Sequence, residues 1–275
     1  MAIDPEVAGW EFTGLRVGTL VASGSISFET GENEAIVLPL AGGFIVATAE
    51  ATYDLAGRPS PFAGPTDVAY LPRDATAEVT APHGGRFAVA TARASRRLSA
   101  QYLPAGAVPV ELRGAGACSR EVRNFGMPGS LEADRLMAVE VVTPGGNWSS
   151  YPPHKHDEAG PTETALEEIY YYEIAGGPAG QGFAHQRVYG TPDRPIEVLA
   201  EVRDGDVVLV PHGWHGPTMA VPGYDLYHLN VMAGPGEERA WKSHDDPAHA
   251  WIRDTWRGQA MDPRLPVSPR ADDDR

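Results

Sequence analysis

Hydrophobic positions along this chain fall in short runs broken by glycine and proline rather than in helical stripes. Residues 34–40 (Glu-Ala-Ile-Val-Leu-Pro-Leu) and 43–48 (Gly-Phe-Ile-Val-Ala-Thr) are apolar runs bounded by glycines, the mark of buried strands. Residues 64–72 read as a turn leading into a strand, and 85–92 as another strand; nothing in 1–100 carries a helical stripe. In the second half, 136–142, 166–172, 182–189 and 225–232 read as strands, with a turn at Gly145-Gly146-Asn147-Trp148. Residues 247–256 predict one short helix, and the acidic end 271–275 reads as a solvated tail. The 31 glycines and 25 prolines are spread along the chain, as many short strands and turns require. The expectation is an all-β protein.

The halves resemble each other. Asp67-Val68-Ala69-Tyr70-Leu71-Pro72 matches Asp206-Val207-Val208-Leu209-Val210-Pro211, and 34–43 matches 168–177, both ending Ala-Gly-Gly. Two matches in the same order at nearly equal offsets indicate a duplicated β module. In this alignment Thr76 falls opposite His215, and nothing near 20–30 replaces His154 and His156. The first copy is expected to keep the frame and lose the chemistry. Residues 101–135 form the connection, loosest at 114–117. The expected division is a metal-free domain over 1–115 and a metal-binding domain over 116–275 that ends in the short helix and tail.

Composition narrows the classes. A chain of 275 residues holds one large domain or two smaller ones, enough to bury a core without disulfides. The single Cys118 suits a reducing compartment. The start lacks the basic and apolar regions of a signal peptide, and no run approaches the roughly 18 apolar residues of a membrane helix. The net charge of −15 argues against nucleic acid, which needs a basic surface. The expectation is a cytoplasmic protein with neither nucleic acid nor membrane as partner; a homo-oligomer stays open.

Histidine is uneven: of nine, all but His83 fall at or after His154. His154-Lys155-His156 on a strand puts both imidazoles on one face and Lys155 on the other. Glu167 and Glu168 follow in the next β run, and His215 closes the set after Pro211-His212-Gly213-Trp214. Three imidazoles and a carboxylate suit zinc, manganese, iron, nickel or cobalt better than calcium or magnesium. Lys155 and Lys242 are the two lysines of the chain, which leaves little room for Schiff-base chemistry.

His-x-His, a later Glu, then Gly-x5-Pro-x-Gly-x-His resembles the two-motif pattern of the cupin superfamily, with an insertion before Glu168 and one residue fewer before His215. Those departures resemble one family. Residues 146–157 (Gly-Asn-Trp-Ser-Ser-Tyr-Pro-Pro-His-Lys-His-Asp), Gln186-Arg187-Val188-Tyr189 and 229–235 (Leu-Asn-Val-Met-Ala-Gly-Pro) are similar to the 5-deoxy-glucuronate isomerase family of myo-inositol catabolism, as are 37–43 and 64–67. The resemblance covers nearly the whole chain. It implies two tandem cupin (double-stranded β-helix) barrels and an aldose–ketose isomerase converting 5-deoxy-D-glucuronate to 5-dehydro-2-deoxy-D-gluconate. It also implies one divalent zinc, manganese or iron ion on His154, His156, Glu168 and His215. In the family pattern the ligand Glu precedes a branched residue and an aromatic, as Glu168-Ile169-Tyr170 does, and alternation then turns Glu168, Tyr170 and Tyr172 inward and Glu167 outward.

For the substrate, Arg187 is the candidate partner of the carboxylate, because a guanidinium forks onto one bidentately. Gln186, Tyr170, Tyr172, Tyr189, Tyr227 and Asn230 are candidates for the sugar hydroxyls. His185, His212 and His228 are each a candidate proton carrier or a structural histidine. Two other classes share the ligand set: a non-haem metal cupin dioxygenase, and a non-catalytic sugar-sensing cupin, which usually carries a helix-turn-helix partner.

Overall fold

The computed structural model describes residues 1–177 and 180–267; the acidic end at 271–275 lies outside them. Strands dominate, as the short apolar runs predict. The two α-helices among the described residues, Pro5–Ala8 and Ile252–Thr255, have four residues each. The helix expected over 247–256 contracts to Ile252–Thr255, because Ile252 is the one buried residue of that turn and no apolar face exists to extend it.

Two compact units make up the chain, each assembled from several stretches: residues 1–109, 123–139 and 231–239 form one, and 110–122, 140–230 and 240–275 the other. In the first, the runs at 34–40 and 43–48 are a single strand, Asn33–Thr48, bent in its middle. Its first part pairs with Gly85–Arg93 and Val68–Leu71, its second with Thr52–Arg58 and Thr76–Ala81, and the register shifts on either side of residue 41. Pro39 supplies no N–H to the ladder and Gly42 takes φ +88°, so the chain switches partners there through bulges. Ala35, Val37, Phe44, Val46, Leu55, Val79 and Phe87 fill the core between these strands.

Glu34, on the opposite face from Ala35, is fully buried. Its Oε1 accepts from the backbone N–H of Arg135 and Leu136, both at 2.6 Å, and its Oε2 from Asp134 N–H at 2.6 Å and the Tyr70 hydroxyl at 2.7 Å. One carboxylate thus ties the stretch 134–136 to the first sheet.

The second half carries two six-stranded sheets. In one, Glu167–Ile174 pairs with Val207–Val210; in the other, Ala184–Tyr189 lies between Glu197–Val202 and Trp214–Ala220. Tyr170, Tyr172 and Ile174 of the first sheet pack against Ala184, Val188 and Ala220 of the second, the interdigitation expected of sheets stacked face to face.

Strand pairing refines the repeat. Gly24–Glu29 pairs with Thr76–Ala81 as His154–Lys155 pairs with Trp214–Ala220, with Glu29 opposite Thr76 and His154 opposite His215. With Thr76 taken as the counterpart of His215 from the sequence repeat, its strand partner is Glu29 where that of His215 is His154. The other match shifts by one residue: Leu71 faces Ala35, whereas its counterpart Val210 faces Glu168. Ala35, not Glu34, is the counterpart of Glu168. A single step in register moves a side chain to the other face of a sheet, which is why Glu34 serves as a clamp.

Candidate metal centre

The pairing of His154 with His215 across two antiparallel strands sets the site, and the period of two adds His156 to the same face. Ring centroids of His154 and His156 each lie 4.6 Å from that of His215. One ring nitrogen from each of the three lies within 4.8 Å of the others, and all three residues are buried. Glu168, wholly buried, comes in from the facing sheet: Oε2 is 3.0 Å from His156 Nε2 and 3.1 Å from His215 Nε2. Its Oε1 accepts from Asn230 Nδ2. Glu167, one step along, is only half-buried.

Local chain geometry holds these side chains in place. Gly213 and Gly216 flank the strand start at Trp214-His215 with φ +91° and +88°. A Cβ at Gly216 would sit 1.7 Å from Ser150 O, and one at Gly213 would sit 2.7 Å from Tyr189 O, so both positions require glycine. The insertion after His156 is pinned by charge. Lys155 Nζ donates to Asp157 Oδ1 at 2.8 Å and to both oxygens of Glu163, at 2.9 and 3.0 Å. Asp157 Oδ2 in turn accepts from Gly213 N–H at 2.8 Å, coupling the insertion to the turn that aims His215.

The nitrogens are poised as ligands. His215 Nδ1 donates to Gly213 O at 3.2 Å and His154 Nδ1 to Pro152 O at 3.3 Å; a carbonyl can only accept, so these protons sit on Nδ1 and the Nε2 lone pairs are free. His215 Nε2 is buried without a hydrogen bond, although Glu168 Oε2 is close. Electrostatics agree with a charge-sharing cluster. Burial, reinforced by His215 and His156, holds the His154 imidazole well below its usual range. Burial opposes the charge on Glu168, yet the facing imidazoles of His215 and His156 outweigh it and keep the carboxylate below its usual range. Contacts of 3.0 and 3.1 Å between donor atoms match neighbouring ligands around an ion bound at roughly 2.0–2.2 Å. The donor set fits a divalent metal ion.

The sugar-contact candidates divide by face. Tyr170 and Tyr172 share the face of Glu168; Tyr170 Oη lies 3.0 Å from Ser150 Oγ, and its ring is 6.2 Å from His215 and 5.2 Å from His228. Burial, with the charge of Glu168 behind it, raises the Tyr170 phenol well above its usual range, so it stays an O–H donor. Gln186 is buried inside, accepting at Oε1 from Tyr172 at 3.0 Å and from Thr218. Asn230 reaches Glu168, and His228 lies on the same strand face. Tyr227 points to the other face and donates to Glu140 at 2.8 Å.

Arg187 and Tyr189 are not brought to the cluster. In the strand Ala184–Tyr189 the even positions are buried and the odd ones partly exposed. The Arg187 side chain is 42% exposed, 4.0 Å from Glu197 and stacked on Tyr189, whose hydroxyl donates to Asp246 at 2.5 Å. Sequence reasoning missed Ser150, Thr218 and the Lys155–Asp157–Glu163 clamp. The last had a signal in its i, i+2 and i+8 charge spacing, whereas the first two had none.

A buried cluster of three histidines and a carboxylate between stacked β-sheets defines the cupin class. Solved structures agree: the oxalate decarboxylase of Lactobacillus farciminis shares the fold with a TM-score of 0.61 at 10% identity, over 89% of this chain and 82% of that one. The chain belongs to the KduI/IolB family, whose model matches residues 1–252. Its relatives include the 5-deoxy-glucuronate isomerase of Geobacillus kaustophilus, 43% identical over 92% of this chain and 90% of that protein, and that of Bacillus subtilis strain 168, 40% identical over 86% of each. An iolb-like protein of Salmonella typhimurium superposes with a TM-score of 0.85 at 41% identity, over 92% of this chain and 94% of that one.

Proposed function

We propose that the protein is an aldose–ketose isomerase that converts 5-deoxy-D-glucuronate to 5-dehydro-2-deoxy-D-gluconate, using a divalent metal held by His154, His156, Glu168 and His215. The observation that carries the reading is family membership, joined to the donor set of His154, His156, Glu168 and His215 in this chain. Relatives at 37–43% identity over nearly all of the chain bear that isomerase name.

The reaction moves one hydrogen from C2 to C1 and one from the C2 hydroxyl to the carbonyl oxygen, with no external oxidant. A bound ion would supply Lewis-acid polarisation of the carbonyl. The chain's own groups bind and orient the sugar around it. Tyr170, kept protonated by burial, offers an O–H beside Ser150, and Gln186 with Thr218 and Tyr172 forms a buried polar wall. His228 is fully buried, pushed down to about 3 by burial, and so stays a neutral imidazole; its Nδ1 has no hydrogen-bond partner. That atom can hold a proton in transit between adjacent substrate oxygens. In support of a 1–115 domain without metal, Thr76, the sequence counterpart of His215, pairs with Glu29 and not with a histidine. No described helix is long and apolar enough to cross a membrane.

The test is incubation of purified, metal-analysed protein with 5-deoxy-D-glucuronate, followed by NMR, with dissolved oxygen recorded in parallel. Loss of the aldehyde signal with formation of the ketose and no oxygen uptake is the expected result. Oxygen consumption, or no conversion by protein with a full complement of metal, refutes it.

A further inference from the structure

A sugar acid brings a carboxylate, and Arg187 faces away from the cluster. Among the described residues of the second unit, a different cation has the required surroundings. Arg120, in the strand Arg120–Arg123, is 9% exposed. Among the described residues its one hydrogen bond runs from Nη1 to Cys118 O at 3.0 Å, its guanidinium lies over the Trp256 ring at 5.9 Å, and it makes no ion pair. The strongest charges acting on it, Arg113 and Arg253, are of the same sign, and Glu111 offsets them only in part. Arg113 is paired with Glu111 at 2.8 Å and Arg253 with Asp245, and neither carboxylate forms an ion pair with Arg120. Burial, then Arg113 and Arg253, lowers the Arg120 guanidinium to about 10. A buried cation without a counter-charge is costly.

Trp241 Nε1 is buried with no hydrogen-bond partner; its ring lies 5.6 Å from the Arg113 guanidinium and 6.5 Å from the His156 ring. His228 stands close enough for Arg120 to depress its titration, and it links to Tyr170, which links to His215. Arg120 is thus connected to the histidine cluster along two routes, through Arg113 and Trp241 to His156, and through His228 and Tyr170 to His215. A guanidinium with unused donors, on the strand next to that of Arg113, whose own guanidinium lies over a Trp241 ring with an unsatisfied N–H, is complementary to a carboxylate.

We propose that Arg120 anchors the carboxylate of the sugar acid, with Trp241 Nε1 as a second donor, while the aldehyde end meets the histidine cluster. The proposal rests on the isomerase reading for its substrate, but not for its test. D-glucuronate and its uncharged analogue D-glucuronamide serve as probes of binding, measured by calorimetry without turnover. Wild-type protein is expected to bind the acid more tightly than the amide. Arg120→Met, which keeps the packed aliphatic stem, is expected to weaken the acid by at least ~30-fold and leave the amide nearly unchanged, at wild-type metal content and melting temperature. Arg120→Lys keeps the charge and loses the fork, and should fall between; it carries the test if Arg120→Met does not fold. Equal binding of the acid by wild type and Arg120→Met, equal losses for acid and amide, or no binding of the acid by wild type overturns the anchor. If wild type binds the acid through Arg120 yet does not isomerise 5-deoxy-D-glucuronate, the isomerase reading falls and the anchor stands; turnover unaffected by Arg120→Met gives the reverse.

Discussion

Glu34→Gln separates a structural glutamate from a ligand glutamate and has a magnitude that can be worked from its contacts. The carboxylate takes four donors through two oxygens. An amide keeps one acceptor oxygen, which can serve Arg135 and Leu136, and turns an NH2 toward Asp134 N–H and the Tyr70 hydroxyl. The hydroxyl can rotate to accept, but Asp134 N–H is left buried against another donor, a loss of about 1–3 kcal/mol. The surviving hydrogen bonds also lose their charge assistance. Together the cost is on the order of 3 kcal/mol, and at about 2–4 °C per kcal/mol for a chain of this size the melting temperature should fall by roughly 6–12 °C. Tyr70→Phe, which removes one donor, should cost about 1 kcal/mol. Scanning calorimetry measures both, and metal content measured on the folded protein should be unchanged. A shift under ~2 °C for Glu34→Gln would show that the clamp does not hold 134–136, and loss of metal would place Glu34 in the wrong role.

Four further outcomes are expected. His215→Ala should lose its metal and at least ~100-fold of activity, beyond the 10–100-fold typical of groups that merely orient a ligand, with the β circular-dichroism signal retained. Asn230→Ala, which removes the donor to Glu168, should fall within that 10–100-fold range in metal affinity, measured by competition with a chelator. Arg187→Ala should change KM and kcat by less than ~3-fold, because its side chain faces outward; a loss above ~30-fold would return the carboxylate to it. Burial raises the Asp134 carboxyl, but Arg96 and the Ser95 and Arg96 backbone outweigh this and hold it at about 2. Its stabilisation is therefore present above about pH 4, the unfolded value, and is lost as pH falls toward 2. Melting temperatures across that window should drop more steeply for wild type than for Asp134→Asn.

Much of this was legible without coordinates because it depends on local periodicity. Short apolar runs between glycines predict strands, and two-residue alternation alone places His154 with His156 and Glu168 with Tyr170 and Tyr172. What alternation could not supply was phase and partner. The runs at 34–40 and 43–48 each read correctly as β, yet Pro39 and Gly42 bend them into one strand rather than dividing them into two. The repeat was visible, but its register was one residue off at Glu34, because Ala-Gly-Gly at both ends aligned by identity although Ala35 to Ala41 is one residue shorter than Glu168 to Ala175. Arg187 sits beside Gln186 in the motif, and nothing in the residue types says which of the two faces inward.

The division between what was legible and what was not follows the origin of each residue. The metal candidates come from the repeated frame: His154 and His215 from paired strands that have counterparts in Gly24–Glu29 and Thr76–Ala81, and Glu168 from the counterpart of Asn33–Thr48. A frame used twice leaves a pattern that comparison of the halves can find. Arg120, Arg113 and Trp241 come from 110–122 and 240–267, stretches for which the first half offers no counterpart in sequence. Arg113 and Arg120 lie on neighbouring strands, and the distant Trp241 and Trp256 join them through packing on the guanidinium groups. Duplication can supply a metal-binding scaffold, but recognition of one acid among many has to be added by segments outside it. The buried guanidinium of Arg120, without an ion pair among the described residues, is the feature expected of such an addition, because its desolvation cost is offset when an anion arrives.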